Sequence, residues 1–98
     1  MKVIYKKEYN PYIKQWNILA IFPELEANYG RMQCFCREEG WNECTYSYYL
    51  ECKPTKAEEY AELHKYLQAE FDEPLEIRKR ISTKMYDELC AMWRKFIK

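Results

Sequence analysis

The chain has 98 residues, 48% of them hydrophobic and 17% aromatic, with two glycines, four prolines, 16 basic and 16 acidic side chains. That length holds one domain with one modest core, and so little glycine and proline excludes a flexible linker or a disordered tail. No stretch approaches the roughly 20 apolar residues of a membrane span, and "MKVIYKKEYN" lacks the apolar centre of a secretory signal; the expectation is a cytoplasmic protein whose cysteines are free thiols.

The opening "KVIYKKEY" (2–9) is rich in β-branched and aromatic residues and reads as a short strand. "WNILAIF" (16–22) is a continuous apolar run stopped by Pro23, the pattern of a strand covered on both faces. "ELEANYG" is a polar connection ending at Gly30. "RMQCFC" (31–36) alternates, as a half-buried strand does. "REEGWNE" reads as a turn around Gly40, and "CTYSYYLEC" (44–52) alternates again, with Cys44, Tyr46, Tyr48, Leu50 and Cys52 on one face. The two alternating runs pair as a hairpin.

"KPTKAEEYAELHKYLQAEF" is the clearest helix. Thr55 stands at its N-cap with Glu58 three residues on, and Ala57, Tyr60, His64, Leu67 and Phe71 form its apolar stripe. Asp72, Glu73 and Pro74 end it. "LEIRKRI" (75–81) reads as a strand with a cationic face. Ser82 or Thr83 then caps a second helix with a stripe of Tyr86, Leu89, Cys90, Trp93, Phe96 and Ile97, and with Arg94, Lys95 and Lys98 at its negative end. The predicted fold is α+β: a single domain, 1–98, with an antiparallel sheet of three to five strands and two helices packed on one face.

Charge is uneven along the chain. Residues 1–16 carry four lysines and one acid, residues 17–75 twelve acids and five bases, and residues 76–98 seven bases and three acids. Either these segments satisfy each other on folding, or a patch of one sign is left for a partner of the other.

Cys34, Cys36, Cys44 and Cys52 are spaced C-x-C-x7-C-x7-C. As an alternative these four are zinc ligands, but zinc favours close pairs on tight turns, whereas strand alternation spreads these cysteines over more than about 10 Å. Buried thiols acting as small hydrophobes are the simpler reading, and no metal or cofactor is expected. A nucleophilic cysteine needs a base, and the single histidine, His64, lies on a helix stripe. No phosphate-cradling glycine loop and no hydrolase motif is present, so the chain reads as a non-enzyme.

The segment 16–81 resembles a group of small uncharacterised proteins encoded by bacteriophages and other mobile elements. The resemblance rests on "AIFPE" (20–24), Cys34 and Cys44 ten apart, "YY" (48–49), "KPTKAEEYAEL" (53–63) and "EIRKRI". It implies a phage or mobile-element origin and a bacterial host cytoplasm, and it supplies no activity. Those proteins carry H-x-G-Q-H between the two cysteines where this chain has "REEGWNE", so no role of those histidines transfers.

The expected function is a small binding protein, an accessory or counter-defence factor acting on a host protein through an aromatic and acidic hairpin. Its contact residues are Glu38, Glu39, Trp41, Glu43, Tyr46 and Tyr49, with Trp41 at a loop tip. The alternative is a nucleotide or nucleic-acid binder using Tyr48 with Arg78, Lys79 and Arg80. A zinc-stabilised module is the third reading. Self-association is left open, and no membrane partner is expected.

Overall fold

The computed structural model describes residues 1–96. In chain order the elements are β1 (Lys2–Asn10), β2 (Gln15–Phe22), β3 (Arg31–Cys36), β4 (Gly40–Thr45), α1 (Tyr46–Glu51), β5 (Lys53–Pro54), α2 (Ala57–Glu70), β6 (Glu76–Arg78) and α3 (Thr83–Arg94). The fold is α+β, as expected, with six strands and three helices. The strands run in the order β4-β3-β2-β1-β5, and β6 also pairs with β1. All pairings are antiparallel except β1–β6, which is parallel.

Two apolar clusters lie on opposite faces of the sheet. Ile4, Leu19, Ile21, Met32, Cys34, Cys36 and Cys44 pack with Tyr49 of α1 and with Met85, Leu89 and Trp93 of α3. Val3, Tyr5, Ala20, Phe22 and Phe35 pack with Leu63 and Leu67 of α2. Here the structure departs from the expectation of two helices on one face. The reason is already in the strands: Val3–Tyr5 and Leu19–Phe22 are buried at consecutive positions, so each face needs its own cover.

The second departure is at residues 44–52, read as a strand. The chain leaves β4 at Thr45, whose Oγ1 accepts the Tyr48 N–H at 3.1 Å and starts α1. The alternation there coincides with a helical i, i+3 spacing, which puts the Tyr46 and Tyr49 rings 5.5 Å apart on one side. The turn between β3 and β4 shortens accordingly to residues 37–39, and Trp41 lies in a strand rather than at a loop tip.

The two long helices differ from expectation only in detail. Lys56, not Thr55, is the N-cap of α2; the Glu59 carboxylate accepts the Lys56 N–H at 2.9 Å, while the Thr55 hydroxyl donates to the Tyr5 carbonyl at 2.8 Å. Ala57 is exposed and Leu63 takes its place in the stripe. Ser82 caps α3 as expected, its Oγ accepting the Met85 N–H. The buried stripe of α3 is Met85, Leu89 and Trp93, with Tyr86 and Phe96 exposed at its flanks. Ile97 and Lys98 lie outside the described residues. Among the described residues no helix is long and apolar enough to cross a membrane.

Candidate functional site

The six residues expected to form one contact surface are divided by the sheet. Trp41 faces the α2 side, its ring 5.3 Å from both Phe22 and Phe35 and 6.3 Å from Phe71. Glu43 accepts hydrogen bonds from the side chains of Asn28 (3.0 Å) and Gln33 (3.3 Å). Tyr46 and Tyr49 belong to α1, on the other face. Tyr49 is only 4% exposed, and its hydroxyl accepts the Ile81 N–H at 2.8 Å. Tyr46 packs on Tyr86 and Trp93. Glu38 and Glu39 occupy the β3–β4 turn.

The β3–β4 register sets Cys44 opposite Met32 and diagonal to Cys34 on the α3 face. The two thiols act on each other in opposite senses: the neighbouring Cys44 thiol and then burial hold the Cys34 proton far above the usual thiol range, and the Cys34 thiol draws Cys44 down. Burial pushes Cys52 up to about 11 and raises Cys36 as well. Cys34, Cys36 and Cys44 line a cavity of about 440 Å³ whose walls include Leu19, Glu8, Glu39 and Tyr48. The Glu8 carboxyl is held above the ordinary carboxylate range, first by burial and then by repulsion from Glu39 and Glu38. Among the described residues, none of these three acids forms an ion pair. No three Cys, His, Asp or Glu side chains among them converge as metal ligands. His64 lies across the sheet, its Nδ1 joined to the Tyr5 hydroxyl at 2.8 Å, so it is no base for these thiols.

A surface that sequence reading passed over is the tip of the β1–β2 hairpin. Asn10 Oδ1 accepts the Tyr12 N–H at 3.0 Å, Pro11 follows, and Lys14 takes a left-handed φ of 53°, which closes the turn. Tyr9, Tyr12, Ile13 and Trp16 stand on this tip, Tyr12 95% exposed and the other three about half exposed. Tyr9 and Trp16 are cross-strand partners with rings 5.4 Å apart, and Lys7 Nζ lies 5.3 Å from the Trp16 ring centre. A hollow of about 260 Å³ beside them reaches Glu8 and Tyr48, which also line the thiol-floored cavity. Strand alternation sets Tyr9 and Trp16 on the α2 face and Glu8 on the α3 face, so the two hollows meet around the edge of β1, where Glu8 and Tyr48 border both. The available signal was "YNPYIKQW" (9–16), an Asn-Pro turn flanked by aromatics. Period-two reading tells which face such residues take, not whether a helix reaches far enough to cover them.

The alternative set is also divided. Arg78 and Lys79 line a cavity with Tyr5 and Tyr60, Arg80 is not among the residues lining it, and Tyr48 is part of the hairpin-side surface. No protein-family model, curated protein or solved structure matches the chain.

Proposed function

We propose that this chain is a non-enzymatic binding protein of phage or mobile-element origin that captures a host protein on the surface running from the β1–β2 tip to the acidic, thiol-floored cavity. The observation that carries this reading is the cluster of Tyr9, Tyr12, Ile13 and Trp16, four large side chains half to almost fully exposed on the β1–β2 turn and the strand ends beside it. Folded domains rarely leave such residues together in water unless something covers them, and tryptophan and tyrosine dominate the energetics of protein interfaces. The adjoining cavity offers an apolar floor with Glu8 and Glu39 on its walls. That combination suits the aliphatic stem and charged end of a partner's lysine or arginine. The partner is thus a protein segment that pairs apolar residues with a basic one.

The test is affinity capture from a bacterial host lysate with the parent, with Tyr12→Ala/Trp16→Ala, and with Arg78→Glu/Arg80→Glu, each checked by melting temperature. The tip variant should melt like the parent and lose the captured protein, and the charge-reversal variant should keep it. Undiminished capture by the tip variant, or loss only on charge reversal, refutes the reading.

A further inference from the structure

On the outer side of β1 the sheet edge is broken. β6 pairs with Lys2–Ile4 and β5 pairs with Lys6–Lys7, so Tyr5 sits at a notch between two short strands. A cavity of about 410 Å³ opens there, within the range of small-molecule sites. Lys56, Arg78 and Lys79 stand on its walls, and no carboxylate lines it. Of the neighbouring acids, Glu59 is held by Lys7 at 2.9 Å and Glu76 pairs with Arg78. Among the described residues Lys56 and Lys79 form no ion pair. The remaining wall is Pro54, Thr55, Ala57 and Ile77 together with two tyrosines, of which Tyr5 is buried behind Tyr60. Tyr5 and Tyr60 stack at 4.5 Å with 10° between their planes, and the bond from the Tyr5 hydroxyl to His64 fixes the pair. Arg78 shares its charge with Glu76, so the local positive excess rests on the ammonium groups of Lys56 and Lys79, and an anion held between them relieves their repulsion. A stacked tyrosine wall beside them adds a surface for a flat ring.

We propose that this notch binds a nucleoside mono- or diphosphate, with the phosphate among Lys56, Arg78 and Lys79 and the base against the Tyr5–Tyr60 wall. A longer nucleic acid is disfavoured by charge. Beyond the cations, exposed Glu58 and Glu62 on α2 and Glu76 on β6 would face the continuing phosphate backbone. The site adjoins the hairpin-side hollow across β5, with Pro54 lining one and Lys53 the other, but it shares no lining residue with that hollow and does not depend on it.

Calorimetric and amide-NMR titrations with ADP, adenosine, inorganic phosphate and a ten-nucleotide single-stranded DNA test the proposal. ADP should shift the amides of residues 54–60 and 77–79 and bind at least tenfold tighter than either adenosine or phosphate alone. Lys56→Ala/Lys79→Ala, both exposed positions, should weaken ADP at least tenfold with an unchanged melting temperature. Tyr60→Leu, which keeps the volume apolar, should bring ADP affinity down to that of phosphate alone. Phosphate binding as tightly as ADP would show an anion site without base recognition and overturn the proposal. So would adenosine matching ADP, the oligonucleotide binding more tightly than ADP, or the lysine variant binding ADP normally.

Discussion

Trp16 and Trp41 are equally exposed, at 49% each, yet their surroundings differ. Trp41 lies over three phenylalanines, Phe22 and Phe35 from the sheet and Phe71 from the end of α2, and closes that side of the core. Beside Trp16 are the ring of Tyr9, itself half exposed, and the ammonium of Lys7. Fractional exposure therefore does not separate a lid from a contact residue. What separates them is whether the covered half of the ring rests on residues that would be wet without it. By that measure the β3–β4 hairpin, with the richer mixture of acids, cysteines and aromatics, is largely structural on its α2 side. The plainer β1–β2 hairpin carries the unexplained apolar surface.

Trp93 sets the upper end of the scale. It is buried on α3 and its Nε1–H donates to the Arg31 carbonyl at 2.9 Å. Trp93→Ala should cost about 3–5 kcal/mol in chemical denaturation; a loss under about 1 kcal/mol would mean that α3 does not seal this face. Trp41→Ala should fall below that, at about 2 kcal/mol, because half its ring is already wet. Trp16→Ala should cost less than about 0.5 kcal/mol, the usual limit for surface positions. Equal losses at 41 and 16 would erase the distinction between the two hairpins.

Asn17 offers a change of opposite sign. It is buried beside Glu8 in the β1–β2 register, and among the described residues its Oδ1 has no hydrogen-bond partner. Asn17→Leu should raise stability by about 1 kcal/mol by removing an unsatisfied buried oxygen. A lower melting point would reveal that the amide is held.

The smallest effect concerns pH. Because the Glu8 carboxyl is raised in the folded state, that state keeps the proton to higher pH than the unfolded chain. Stability therefore falls as pH rises from the ordinary carboxylate value through the raised one. Glu8→Gln should match the parent at about pH 3 and melt about one to two degrees higher at pH 8. A parallel offset at both values would locate the effect in packing rather than charge.

Much of the scaffold was legible in the sequence. The "WNILAIF" run announced a strand covered on both faces, and Ser82 marked the start of α3 where the structure has it. The site was harder to read. Residues 44–52 satisfy a period of two and a spacing of three at once, and a single hydroxyl, Thr45 Oγ1, decides for the helix. The Cys34–Cys44 contact depends on the β3–β4 register, and hence on whether the turn holds three residues or seven. The exposure of Tyr12 and Trp16 depends on where the helices stop, which no local pattern in "YNPYIKQW" encodes.

The broken edge of β1 also limits how copies of the molecule can join. Sheet polymerisation needs two complementary free edges, one on each side, so that every added copy offers a fresh template. On one side β4 presents a six-residue strand, whereas the opposite side is cut into pieces of two and three residues. A head-to-tail chain of sheets finds no continuous ladder to extend. The one edge long enough to template backbone pairing among the described residues is β4, and a pairing of β4 with β4 would use up both such edges and end there.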